Sequence, residues 1–211
     1  MSVDIREETL TLAALTEYAT IPIVFMVDRI LEVRLADGGL GGMSLTETTI
    51  RDPYAKDYDA DTGAEPTHWP GRFDISNWGL ICARRDGARV GGAVIAWHTP
   101  GLRMLGGRDD VAVLWDIRVA PGQRAAGIGS ALFRAAADWA GARRCRWLKI
   151  ETQNVNVPAC RFYARMGCTL GAIDRWAYPK LPGECQLLWF KDLSVRDEGA
   201  GPTVRVARDT R

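Results

Sequence analysis

The stretch Trp115-Asp-Ile-Arg-Val-Ala-Pro-Gly-Gln-Arg-Ala-Ala-Gly-Ile-Gly-Ser130 decides the fold. It closes an apolar run, Val111 to Val119, which reads as a buried strand ended by Pro121. After Gly127-Ile128-Gly129 an alanine-rich segment, Ser130 to Ala142, places Leu132, Ala136 and Trp139 on one helical face. A strand that turns at once into a helix aims unpaired backbone N–H groups and the positive end of the helix dipole at one point. Glycines there tolerate positive φ and let a ligand approach the backbone. Such a junction cradles phosphate without a metal. The pattern lacks the third glycine of a dinucleotide fingerprint and the Gly-Lys-Ser/Thr of a Walker loop.

Working outward, Trp78–Ala83 and Val90–Trp97 are β-rich runs joined through Asp86-Gly87, a hairpin signal. Leu102 to Asp110 reads as a loop. Downstream, Trp147–Thr152 is a short strand and Pro158–Met166 a helix, with proline in its first turn and Gly167 just past its end. Two last strands are predicted near Thr169–Asp174 and Cys185–Phe190. On the N-terminal side, Ile5 to Leu15 mixes β-branched and helical residues and supports no firm assignment. Ile23, Val27, Ile30, Leu31 and Leu35 recur at three- and four-residue steps, which predicts a helix over 23–35 stopped by Gly38-Gly39. Glycines at 38, 39, 41 and 42 and prolines at 53, 66 and 70 then predict long loops over 35–77 on the substrate side. The order predicts an α/β fold with a mixed, mostly antiparallel sheet, a central strand–helix–strand crossover and flanking helices. Residues 1–193 are expected to form one domain, and 194–211 a flexible tail.

The chain has 211 residues, 47% hydrophobic and 25% charged, enough to bury a core without disulfide staples. A net charge of +1 and scattered basic residues argue against nucleic acid or an anionic membrane as partner. Five cysteines, with no CxxC pair and no signal peptide, fit reduced thiols in the cytoplasm. Only two histidines, His68 and His98, are present, and the cysteines lack ligand spacing, so no metal is expected. No Gly-x-Ser-x-Gly elbow is present, and Cys160 reads as a packed thiol rather than a nucleophile. The segment Arg51 to Asp61 interleaves acids with Tyr54 and Tyr58. It reads either as a solvated loop or as a lid recognising an ammonium group by charge and cation–π attraction.

A second stretch, Glu151-Thr-Gln-Asn-Val-Asn-Val-Pro-Ala-Cys-Arg-Phe-Tyr-Ala-Arg-Met-Gly167, follows one strand–helix unit later. Together the two resemble the GCN5-related N-acetyltransferase (GNAT) superfamily. Arg124-Ala-Ala-Gly127-Ile-Gly129 matches its pyrophosphate loop, and Asn156, Ala159, Phe162, Tyr163 and Gly167 match its later helix. The resemblance covers about residues 78–191, and Glu-Thr-Gln-Asn followed by Asn-x-x-Ala-Cys looks most like streptothricin-type acetyltransferases.

The resemblance implies acetyl-CoA as co-substrate. The backbone of Ile117, Arg118 and Val119 would hold its pantetheine arm. Arg124, Ala125, Ala126, Gly127, Ile128, Gly129 and Ser130 would hold its pyrophosphate, and Asn156 and Ala159 would contact it from the next helix. A neutral amine would attack the thioester, and an acid would protonate the departing thiolate. Tyr163 is the candidate acid, since a phenol with an ordinary pKa of about 10 keeps its proton at neutral pH. Asp116 and Glu151 are candidate bases, each also able simply to pair with an arginine; an amine arriving neutral would need no base. The expected acceptor is a primary amine of a small molecule. The alternatives are a protein N-terminus or lysine, or a non-catalytic acyl-CoA sensor. The protein would act as a monomer or homodimer.

Overall fold

The computed structural model describes residues 2–60 and 63–194. The predicted tail falls almost wholly beyond these residues, and Asp61 lies outside them too. Two compact units are built from interleaved segments. One takes the described parts of Met1–Ile23, Tyr58–Ile150 and Phe190–Arg211, the other Val24–Asp57 and Glu151–Trp189.

In the first unit the strands are β1 (Asp4–Glu8), β4 (Gly79–Arg85), β5 (Ala88–Ala96), β6 (Val111–Val119) and the start of β7 (Trp147–Gln153). They lie in the order β1-β4-β5-β6-β7, antiparallel except for the parallel β6–β7 pair. The β4–β5 hairpin turns at Asp86 (φ 50°) and Gly87 (φ 80°), as the Asp-Gly pair predicts. Helix α3 (Ile128–Ala142) makes the crossover from β6 to β7, beginning two residues earlier than the sequence pattern suggests. The unassigned N-terminus supplies β1 and helix α1 (Leu12–Ala19), the latter capped by the Thr11 hydroxyl accepting from the Ala14 amide.

Successive residues of a strand face opposite sides, so Gly91 and Gly92 of β5 serve different helices. A Cβ at Gly91 would stand 3.1 Å from Leu132 of α3, and one at Gly92 2.8 Å from the Tyr18 ring of α1. The bare backbone thus lets a helix seat on each face. Around Tyr18 the core gathers Leu15, Trp69, Trp78, Leu80 and Val94, with Phe73 and Trp115 at its margin.

The second unit corrects two expectations. Residues 23–35 are not helical: Phe25–Leu35 form strand β2, paired antiparallel with β3 (Met43–Lys56). Gly38 (φ 63°) and Gly39 (φ 108°) stop no helix; they turn this hairpin. The predicted 35–77 loop region accordingly contains a 14-residue strand, followed by helix α2 (Trp69–Arg72) in the first unit. Pro53 is compatible with that strand because it falls in the register break between Val27↔Tyr54 and Arg29↔Thr49, where residues 50–53 have no ladder partner to lose. The unit also holds α4 (Val157–Arg165), β8 (Thr169–Asp174) and most of β9 (Gln186–Asp192), close to their predicted spans, with strand order β7-β9-β8. Asn154, 1% exposed, staples it: its Nδ2 donates to Leu31 and Gly183 carbonyls, and its Oδ1 accepts the Cys185 amide.

All five cysteines are buried free thiols. Cys160 packs against the Thr152 hydroxyl at 3.4 Å, and burial raises its pKa, so it is a core thiol as expected. No helix among the described residues is long and apolar enough to cross a membrane.

Candidate active site

Strand β6 changes partners halfway along. Its parallel ladder with β7 runs from Val111↔Trp147 to Leu114↔Ile150. At the next residue the β5 register slips, with Ile95 opposite Leu114 but Val94 opposite Asp116, so Trp115 is a bulge. Beyond it β6 stays paired with β5. The Ala120 amide donates to Val90 O at 2.9 Å, which fixes the alternation in this antiparallel stretch. Arg118 and Asp116 therefore direct their backbone groups at β5, and Ile117 and Val119 direct theirs away. The Arg124 Nε–H confirms this by reaching Val119 O at 3.2 Å. An outward row of strand N–H and C=O groups past the end of the β7 ladder can take an extended amide chain.

The loop that follows is shaped for an anion. Ala125 (φ 64°) and Gly127 (φ 79°) are left-handed, and residues 124–127 are exposed. Helix α3 has no side-chain cap and no acidic residue in its first turn. Its first amides and the positive end of its dipole are therefore not neutralised from within the helix. A Cβ on Gly127 would meet nothing within 4 Å, so the space beside it is open. These features fit the pyrophosphate of acetyl-CoA.

Asp116 and Arg118 sit on the same strand, and each has its partners in place. The Asp116 carboxylate accepts from the Tyr18 hydroxyl at 2.5 Å and from Arg118 Nε and Nη2 at 3.0 and 2.9 Å. Arg118, with a side chain 1% exposed, also donates to both Asp59 oxygens at 2.6 and 2.8 Å and to the Ile21 carbonyl. The Tyr18 ring lies 5.3 Å from its guanidinium. Asp116 thus stands in the arginine pair weighed against its role as base, and Arg118 is engaged on both counts, its side chain in this cluster and its backbone groups toward β5. Asp59 holds Arg118, so its carboxylate is committed to an ion pair. Its neighbours in sequence, Arg51 to Lys56, are strand residues, with Lys56 paired to Glu184 at 2.6 Å.

In the second unit, Glu151 is exposed on β7 and its carboxylate accepts from the Tyr178 hydroxyl at 2.6 Å rather than pairing with arginine. Asn156 caps α4: its Oδ1 accepts the Ala159 amide at 3.2 Å. That amide is therefore committed within the helix. Tyr163 is buried on the face of α4 that also buries Val157 and Cys160, its ring edge-on to Phe162 at 5.2 Å.

A family model described as the acetyltransferase (GNAT) family matches residues 46–168. The chain belongs to that family. It is an acetyl-CoA-dependent N-acetyltransferase. A streptothricin acetyltransferase of Escherichia coli is 27% identical over 177 residues, covering 82% of this chain and 88% of the relative. Another, from Streptomyces lavendulae, is 31% identical over 137 residues, 65% of this chain and 68% of the relative. Among solved structures, a nourseothricin acetyltransferase matches with TM-score 0.69 at 25% identity, over 92% of this chain and 99% of that one. A Bacillus anthracis protein solved with acetyl coenzyme A shares the fold, at TM-score 0.70 and 24% identity over 90% of this chain and 99% of that one.

Sequence reading of this GNAT acetyltransferase missed the Trp115 bulge, Tyr18 and the pairing of Asp59 with Arg118. A bulge leaves no residue signature when it falls within an unbroken apolar strand. Tyr18 and Asp59 lie 98 residues from Asp116 and 59 from Arg118 respectively, so no local pattern could couple them.

Proposed function

We propose that the protein acetylates a primary amine of a small molecule of the streptothricin kind, with Tyr163 as general acid. The observation that carries the acceptor class is the likeness to streptothricin acetyltransferase over 82% of this chain. Bound acetyl-CoA supplies an activated acyl carbon whose thiol leaving group needs a proton. The outward backbone groups of Ile117 and Val119 hold its amide arm, and the uncapped start of α3 with Arg124 to Ser130 holds its phosphates. Tyr163 donates the proton to the leaving sulfur. Of the two candidate bases Glu151 is favoured, because Asp116 already accepts from Tyr18 and Arg118 while Glu151 is exposed with one phenol as partner. Residues 1–193 serve as one catalytic domain in this reading.

The test is release of coenzyme A from acetyl-CoA across a panel of amines, including streptothricin, simple diamines, aminoglycosides and peptide N-termini. Turnover with small primary amines, and mass addition of one acetyl group to the acceptor, is the expected result. Turnover confined to peptides would overturn the acceptor class, release that needs no amine would mark a hydrolase, and absence of release with every amine would leave a non-catalytic sensor.

A further inference from the structure

Arg85 closes β4 one residue before the Asp86–Gly87 turn and is half-buried in the first unit. Its Nη1 donates to Oε1 of Gln123, the last residue of the short turn Pro121–Gln123 that leads into residues 124–127. Its Nε is buried and has no acceptor. The adjacent arginine is in a different situation. Arg84 is held by Glu8 at 2.8 Å and Glu17 at 2.7 Å, and Arg89, whose Nε and Nη1 are likewise buried without an acceptor, has its charge met by the same two carboxylates. Among the described residues no carboxylate pairs with Arg85, and none pairs with Arg124, whose guanidinium rests on the Val119 and Pro22 carbonyls.

Two guanidinium groups without counter-charge therefore flank one loop, next to a helix start that carries no acid. A guanidinium without a counter-charge is costly to hold half-buried, and a phosphate supplies both an acceptor and the opposite charge. Arginine suits this role because its fork of donors matches phosphate geometry and can hold Gln123 with one arm.

We propose that Arg85 is a further phosphate-recognition residue for acetyl-CoA, supplying charge to the ligand while bracing the loop through Gln123. This rests on the placement of the cofactor phosphates at residues 124–130. Acetyl-CoA carries phosphate as a pyrophosphate and as a 3′-phosphate on its ribose, and Arg85 serves one of them.

Calorimetric titration with acetyl-CoA and with its 3′-dephospho form tests this, at low and at raised salt. The proteins compared are wild type, Arg85→Gln, Arg85→Lys, Gln123→Ala and Gly129→Asp, each first shown to melt normally. Arg85→Gln should bind acetyl-CoA roughly tenfold more weakly at low salt, with a shallower salt dependence, the scale of one charged hydrogen bond. Arg85→Lys should keep most of the salt dependence, and Gln123→Ala should lose less affinity than Arg85→Gln. A penalty that persists with the dephospho ligand assigns Arg85 to the pyrophosphate; one that vanishes assigns it to the 3′-phosphate. Wild-type affinity in Arg85→Gln, or equal losses in Arg85→Gln and Gln123→Ala with the wild-type salt slope, would overturn the proposal. If Gly129→Asp also binds normally, the phosphate placement itself fails; if it binds weakly, only the role of Arg85 does.

Discussion

A tyrosine buried on a helix can be there for its ring or for its hydroxyl, and Tyr163 is placed to separate the two. Its ring packs on Phe162 in the row that buries Val157 and Cys160. Phenylalanine would keep that packing and remove only the oxygen. If the hydroxyl protonates the leaving thiolate, Tyr163→Phe should lower kcat by roughly a hundredfold or more, the range of general acid catalysis. The KM for acetyl-CoA should change far less, since one neutral hydrogen bond is worth about 1 kcal/mol net. The defect should shrink with an acyl donor whose thiol is more acidic, because such a group leaves unaided. Near-normal turnover with an amine for which chemistry is rate-limiting would make Tyr163 a packing residue. A defect undiminished by the better leaving group would assign the hydroxyl to holding the sulfur. Asp116 shows a related ambiguity, and the fold gives its carboxylate Tyr18 and Arg118 as partners. Its acid type and strand position were legible in the sequence, whereas Tyr18 and Asp59 reach the cluster only through the fold.

At the scale of elements, the junction of β6 and α3 depends on small residues and an open helix start. Gly129→Asp would place a carboxylate in the first turn of α3, where the helix dipole favours an anion. The substitution should therefore leave the melting temperature close to wild type, or slightly above it after the loss of a helical glycine. The same carboxylate would occupy and repel the phosphate position, so acetyl-CoA affinity should fall at least tenfold. Unchanged affinity by calorimetry in a normally melting variant would remove the cofactor from this loop. Such elements were read correctly where one residue type enforces the geometry: Asp86-Gly87 for a hairpin, Pro158 and Gly167 at the ends of α4, the apolar run of β6. The helix predicted over 23–35 failed because its spacing was carried by Val, Ile and Leu, side chains that sit equally well on a strand. In β2 the exposed positions include Met26 and Leu35, 58% and 38% exposed, so hydrophobicity there did not mark the buried face. Its partner β3 carries three threonines, Glu47, Arg51, Asp52 and Pro53 among few apolar residues, which hid a long strand inside what looked like loop composition.

At the scale of the whole molecule, a net charge of +1 conceals concentrated local charge that should govern stability in acid. Glu8 joins β1 to β4 and β5 through Arg84 and Arg89. Burial pushes its carboxyl up, but the hydrogen bond from Arg84 and the charges of Arg89 and Arg84 outweigh this and hold its pKa down at about 2, against 4.5 ordinarily. Glu17 is also lowered, chiefly by its hydrogen bond from Arg84. A carboxylate whose folded pKa lies below its unfolded value stabilises the fold above the unfolded value. That contribution fades as pH falls toward the folded one. For Glu8 the window runs from about pH 4.5 down to about 2. Urea unfolding through this range should show wild-type stability falling steeply. Glu8→Gln cannot ionise, so it should be less stable than wild type at pH 7 and should converge on it as pH approaches 2. The convergence separates the ion pair from packing: a purely steric role would offset the two stability curves by a constant amount at every pH. Parallel curves would therefore show that Arg84 and Arg89 gain nothing from the Glu8 charge. Glu17 or solvent would then carry the neutralisation of this edge of the sheet.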